Sequence, residues 1–326
     1  MASSGLAKAY AVDAGERALQ EHVTRCGTDA VVLSGPGPGL FRIRHRIAGK
    51  PLVSIVLPTA GRTRTIGNRT LDLLVNCVSS VVKKTTYQNY ELVIGDDGEL
   101  PEATAAYLES VTAVPIRRLH FPQPGGFNYG RKLNFIAQHA RGEHLVLFND
   151  DTEIIAPEWI EAMLEYSQQE AIGGVGAKLL YPDGRIQHIG IVMGVSGMAA
   201  HAFHGHQGST PGYGASAQIV RNYSAVTAAC MMTRRELYER LGGFDVRFQF
   251  DFNDIDYCLR LRRAGYRLVY TPYAELFHLE MATWGTRPWY AEEVEYMRQT
   301  WAQVFEHDPY YNPNLTREYP DFRVGE

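Results

Sequence analysis

Between residues 52 and 168 the sequence passes four times from a short apolar run to a stretch with helical spacing, and this alternation constrains the fold most. Residues 52–57 are the first run, closed by Pro58, and 71–82 carry apolar side chains at helical intervals. Next come 91–95 with a helix opening at Pro101, 114–120 with a helix over 127–140, and 144–148 with a helix over 157–168. Unbroken apolar runs of this length suit strands covered on both faces. Strands alternating with helices pair in parallel through right-handed crossovers. The expected class is α/β, a mostly parallel, doubly wound sheet.

Beyond residue 168 the texture changes. Segments 173–180, 186–193, 217–223 and 227–233 are short and β-like with Gly-rich turns between them, which predicts a mixed or antiparallel half. A loop is expected over 201–214, a helix over 254–264 stopped by Gly265, and a strand over 267–270. Residues 1–48 read as an N-terminal extension. It holds a helix over 14–23, a Gly/Pro linker at 34–39 and a half-exposed strand at 41–47 that alternates apolar with basic side chains. The central unit then covers 49–287, and 288–326 forms a C-terminal helix and an aromatic strap.

Apolar residues make up 45% and charged residues 21% of the 326, the balance of a compact soluble chain. With 32 basic against 36 acidic side chains the net charge is −4, so no global field favours nucleic acid, and bound anions must be held locally. Cys26, Cys77, Cys230 and Cys258 are widely spaced with no CxxC pair, which argues against structural zinc and disulfides and for a reducing compartment. No window approaches the length of a membrane span. The expected location is cytoplasmic, with room for peripheral contact at the inner face of the membrane through the basic 41–47 stretch.

Two of the apolar runs end in acid: Asp96 and Asp97 after the second strand, Asp150 and Asp151 after the fourth. Parallel strands share polarity, so both pairs fall on one sheet edge, where open α/β sheets bind ligands. Either pair alone could equally be a cap or Asx turn. Hard cations such as Mn2+ or Mg2+ take carboxylate oxygens and keep positions open for phosphate, which makes Asp151 the first candidate metal ligand. Asp96 or Asp97 suits the donors of a nucleobase or ribose. Arg131 and Lys132 are candidates for phosphate contact, or lie on a solvated helix face. Trp284 could stack on a sugar. His201, His204 and His206 sit in a Gly-rich loop and are taken as acceptor-side residues.

Several ordered motifs together resemble family 2 glycosyltransferases of the GT-A fold: Val53-Ser-Ile-Val-Leu-Pro-Thr59, 91–97, Phe148-Asn-Asp-Asp151, Gly242-Gly-Phe-Asp245 and Asn253-Asp-Ile-Asp256. Lys178-Leu-Leu-Tyr-Pro-Asp-Gly184, Ala225-Val-Thr-Ala-Ala-Cys230 and Pro272-Tyr-Ala-Glu-Leu-Phe-His278 are similar to the bacterial cell-surface polysaccharide and O-antigen branch. The resemblance implies a nucleotide-sugar donor near Pro58, Thr59, Asp96, Asp97, Arg131 and Asp150. It implies a cation at Asp151 and His278, Asp254 as catalytic base, and sugar or acceptor contacts at Asn253 and Trp284. The acceptor would be a glycan or a lipid-linked oligosaccharide, and direct displacement would invert the anomeric centre.

Two positions depart from the family pattern. Asn149 replaces the first acid of Asp-x-Asp and is at most a neutral oxygen donor; Asn253 replaces the usual Glu before the base. The alternatives are a sugar-1-phosphate nucleotidyltransferase, of whose Gly-rich loop 58–64 is a faint echo, and a non-catalytic carbohydrate-binding protein.

Overall fold

The computed structural model describes residues 9–98, 100–123, 125–279 and 289–325. Helix α1 (Ala9–Arg25) and a hairpin of β1 (Ala30–Ser34) and β2 (Phe41–His45) precede β3 (Val53–Pro58). A second hairpin, β4 (Thr63–Ile66) and β5 (Arg69–Asp72), leads into α2 (Leu73–Lys84). Then follow β6 (Tyr90–Asp96), α3 (Glu102–Ser110), β7 (Ile116–His120), α4 (Tyr129–Gln138) and β8 (His144–Phe148). The remainder begins with β9 (Thr152–Ile154), α5 (Trp159–Ser167), β10 (Ile172–Leu180), β11 (Ile186–His188), β12 (Ile191–Met193) and β13 (Ala199–His201). It ends with β14 (Arg221–Tyr223), β15 (Cys230–Arg234), α6 (Arg235–Arg240), α7 (Asn253–Arg263), β16 (Arg267–His278) and α8 (Ala291–Glu306).

Among the described residues, ten strands form one sheet in the order β14-β16-β10-β15-β8-β3-β6-β7, with β11 added to β10 and β9 to β16. Strands β8, β3, β6 and β7 are parallel. In the second half, β10 and β16 are parallel to each other, while β15, β14, β9 and β11 pair antiparallel. The expected mostly parallel sheet with a mixed half is therefore observed. Its order reverses at β3, which has β6 on one side and β8 on the other, and a crevice at such a switch point is where these sheets bind ligands.

The apolar runs explain the layers. Val53, Ile55 and Leu57 of β3 pack with α2, α3 and α5 on one face, and Val56 packs with α4, α6, α7 and α8 on the other. Helix α2 starts two residues later than expected because Asp72 caps it, accepting the Val75 N–H at 3.0 Å. The expected strand 186–193 is two strands, broken where Gly190 takes φ 123° beneath the Tyr223 ring, which an added Cβ would strike. The strand expected at 267–270 continues to His278. A register shift against Ala177 and Lys178 accommodates Pro272, which has no N–H to give the ladder.

Residues 34–39 are a hairpin turn rather than a linker, closed by Gly35 N–H donating to the Leu40 carbonyl at 2.8 Å. The hairpin docks on α5 through Arg42 to Glu165 (2.5 Å) and Tyr166 Oη donating to the Ile43 carbonyl (3.0 Å). The tail packs equally closely: Trp301 of α8 lies in the second core layer, and Tyr311, Leu315 and Phe322 join Phe203 in a third apolar cluster. All four cysteines are free, with Cys26 exposed and the others buried. Among the described residues, no helix is long and apolar enough to cross a membrane.

Candidate active site

A cavity of about 480 Å3 opens at the carboxyl ends of β3, β6, β8 and β16. Pro58 and Thr59 leave β3, Asp97 leaves β6, Asn149, Asp150 and Asp151 leave β8, and His278 ends β16; all seven line it. The hairpin after β3 adds Arg62 and Arg64, and α4 adds Tyr129 and Lys132. Backbone bonding ties two of these ends together, because Leu279 N–H donates to the Asp151 carbonyl at 2.7 Å.

One flank is a polar lattice. Thr59 Oγ1 donates to Asp150 Oδ2 at 2.5 Å, and buried Lys132 donates from Nζ to the Thr59 carbonyl and to Asp97 Oδ1, both at 2.5 Å. Gln123 Nε2 donates to the other Asp97 oxygen at 2.6 Å. Burial, then the Asp151 charge, pushes the Asp150 carboxyl up to about 6 against the pull of Thr59, Lys132 and Arg62. Asp96 does not take part. Its buried carboxylate accepts from Arg118 Nε at 2.5 Å and from the Gly98 N–H at 2.6 Å, and this pairing holds it below the usual range despite burial. Asp96 thus braces β6 against β7, since successive residues of a strand point to opposite sides. Arg131 follows the same logic on α4: Lys132 faces the cavity and Arg131 lies outside its lining.

The opposite flank holds the cation candidates. His278 Nε2 lies 2.9 Å from Asp151 Oδ1, and His278 Nδ1 lies 2.6 Å from Gln187 Oε1. Tyr129 Oη donates to Asn149 Oδ1 at 3.0 Å, which turns the Asn149 amino group toward His278 Nε2 at 3.3 Å. The Asn149 oxygen, the neutral donor allowed from sequence, is therefore already engaged. Both ring nitrogens of His278 thus face oxygen atoms, and a divalent cation seated between Nε2 and Asp151 would satisfy the second of these contacts. Donors at right angles and about 2.0–2.1 Å from an ion such as Mg2+ lie about 2.9 Å apart, so the pair fits. Burial works to raise Asp151, but the His278 charge and hydrogen bond outweigh it and hold the carboxyl below its ordinary value. Among the described residues no cluster of three or more His, Cys, Asp or Glu suited to a metal occurs. A two-ligand share is what Mg2+-class ions take when substrate phosphate supplies the rest.

Asp254 stands at the first turn of α7, half-buried, with Oδ2 accepting from the Ala228 N–H at 3.1 Å and Oδ1 from the Ile255 N–H at 2.8 Å. It does not itself line the cavity. Its charge reaches the buried phenol of Tyr129, which does, and which burial and then the charges of Asp254, Asp151 and Asp150 push far up. Asn253 is buried, donates to the Phe250 carbonyl at 3.2 Å and packs its Oδ1 toward Gly130, joining α7 to α4. A buried side chain in that position gives no support to sugar contact. Trp284 lies outside the described residues. Gln187, Arg62, Arg64 and Tyr129 were missed from sequence. Only the arginines had a signal, as basic residues just beyond a strand end.

Residues 51–304 match the family described as Glycosyltransferase like family 2. The chain is 40% identical over 331 residues to the uncharacterized protein y4gI of Sinorhizobium fredii (strain NBRC 101917 / NGR234), covering 98% of this chain and 35% of the relative. It is 37% identical over 326 residues to the O-antigen biosynthesis protein RfbC of Myxococcus xanthus, covering 97% and 24%. The chain thus spans about a third or less of the length of these curated relatives. Among solved structures it resembles mannosyltransferase PcManGT from Pyrobaculum calidifontis in complex with GDP-Man and Mn2+, with TM-score 0.51, 15% identity and coverage of 98% and 77%. It also resembles GalNAc-T7 with UDP, GalNAc and Mn2+, with TM-score 0.57, 16% identity and coverage of 80% and 50%. These structural likenesses establish the fold, and the family match over most of the sequence establishes descent: the chain belongs to glycosyltransferase family 2 and has the GT-A fold.

Proposed function

We propose that the chain is an inverting, cation-dependent transferase that moves a sugar from a nucleoside diphosphate to a hydroxyl of a glycan or lipid-linked oligosaccharide, in the cytoplasm at the inner face of the membrane. The observation that carries this reading is the gathering of Thr59, Asp97, Asp150, Asp151 and His278 on one cavity at the switch point of the sheet. The relationship to an O-antigen biosynthesis protein supports a surface polysaccharide as destination.

In this reading Asp97, Asp150 and Thr59 hold the base and ribose, prearranged by Lys132. Arg62 and Arg64 face the diphosphate. Asp151 and His278 would hold Mn2+ or Mg2+, which stabilises charge growing on the leaving diphosphate. Asp254, anchored by two backbone N–H groups, accepts the acceptor hydroxyl proton as that oxygen bonds to the anomeric carbon. The bond from that carbon to the diphosphate breaks with its electron pair on the leaving oxygen, and attack from the opposite face inverts the centre.

Turnover of UDP-, GDP- and dTDP-sugars, screened first by thermal shift with Mn2+, tests the proposal. Asp254→Asn is expected to lower the rate about 10²–10⁴-fold while nucleotide binding persists. A rate near wild type removes Asp254 as base. EDTA without effect on rate or nucleotide affinity removes the cation.

A further inference from the structure

We propose that Gln187 is a positioning residue, one that fixes the ring tautomer of His278 so that the Nε2 lone pair meets Asp151 and the two together bind a divalent cation. The inference rests on the reading of Asp151 and His278 as cation ligands and adds the group that makes the histidine competent.

Three observations carry it. Gln187 is buried, and its Oε1 lies 2.6 Å from His278 Nδ1, close enough to accept the ring N–H and leave Nε2 as the donor atom. His278 Nε2 lies 2.9 Å from Asp151 Oδ1, so the nitrogen left free by the Gln187 contact is the one that faces the carboxylate. The backbone is also built for the task. Leu179 pairs with His188 but Leu180 pairs with Ile186, so Gln187 is the extra residue of a β-bulge between β10 and β11. A bulge leaves one residue outside the ladder and re-aims its side chain, and here that side chain reaches the end of β16.

The same residue joins the two halves of the site. The Gln187 carbonyl accepts from His201 Nδ1 at 2.9 Å, and the His201 ring feels the charge of Asp254. His188 packs edge-on against His201 with ring centroids 4.8 Å apart. The histidines assigned from sequence to an acceptor loop therefore divide by position. His201, with His188 of β11 packed against it, braces Gln187, whereas His204 accompanies Tyr181, whose hydroxyl lies 2.8 Å from its Nε2. Histidine ligands are ordinarily held in this way by an acceptor on the other ring nitrogen, and loss of that acceptor weakens metal binding about 10–100-fold.

The test measures Mn2+ binding to the full chain without donor or acceptor, by calorimetry and by electron paramagnetic resonance, in wild type, Gln187→Met, Gln187→Glu and His278→Ala. Methionine keeps the length and loses the acceptor; glutamate keeps the acceptor. The expected result is about 10–100-fold weaker binding in Gln187→Met with reduced nitrogen hyperfine coupling from imidazole. Gln187→Glu is expected to restore both affinity and coupling. Wild-type affinity in Gln187→Met alongside weakened binding in His278→Ala overturns the role of Gln187 and leaves the ligands intact. Equal loss in the methionine and glutamate variants also overturns it, because a space-filling role alone then explains the result. Unchanged binding in His278→Ala overturns the ligand assignment, and the role of Gln187 with it.

Discussion

Lys132 shows how one side chain holds a site together. Its ammonium is buried and donates to both the Thr59 carbonyl and Asp97, so it fixes the ends of β3 and β6 relative to each other. Lys132→Met leaves Asp97 without its counter-charge and brings back the full repulsion around Asp150. The expected cost is about 3 kcal/mol of unfolding free energy, measured by urea denaturation, together with weaker nucleotide binding. The exposed pair of Arg185 and Asp183 is the control, since Asp183→Ala should leave the denaturation midpoint unchanged. Equal effects would show that Lys132 acts as a solvated helix residue. Asp151 was legible as a cavity residue because it follows an apolar run that ends in acid, whereas His278 came from the family resemblance. Asp96 was misplaced because adjacent acids at a strand end look alike until the pleat decides which one enters the cavity. Gln187 had no signal, since a bulge exists only once two strands have paired.

Element stability carries its own pH dependence. His144 begins β8, is buried, and its Nδ1 lies 2.8 Å from Ser167 Oγ on α5. Burial and then the Arg234 charge lower its pKa from 6.5 to about 4. The unfolded chain therefore takes up a proton near pH 6.5 that the folded chain refuses until about pH 4. Stability from this group is complete above pH 6.5 and is lost as the solution is acidified toward pH 4. Between pH 7 and pH 5 the loss amounts to about 2 kcal/mol. Denaturation of wild type and His144→Gln at both values should show a difference that shrinks by that amount on acidification, and a constant difference would refute it. Most elements of the alternating half were legible from period alone. The hairpin of β4 and β5 was missed although Gly67 and Asn68 between two polar alternating runs are a two-residue turn signal. Its polar faces gave no apolar period to weigh against the following helix.

At the scale of the whole molecule, the segments that looked peripheral share the central core. Trp301 is almost fully buried, donates from Nε1 to Asp256 Oδ1 at 3.1 Å and carries Arg263 over its ring. Asp256 in turn holds Arg260 at 2.7 Å, so α8 stabilises the helix that presents Asp254. Trp301→Ala is expected to lower stability by about 3–5 kcal/mol within a single cooperative transition. Two separate melts by calorimetry would instead mark the tail as an independent unit.

Local information was enough for the class of fold, the positions of the parallel strands and the edge that carries the cavity, because apolar period and strand polarity are properties of adjacent residues. It was not enough for the partners of each side chain. The meeting of Asp151 with His278, the bulge that aims Gln187 and the burial of Asn253 each depend on chain segments far apart in sequence, and tertiary packing alone sets which atoms come within hydrogen-bond distance.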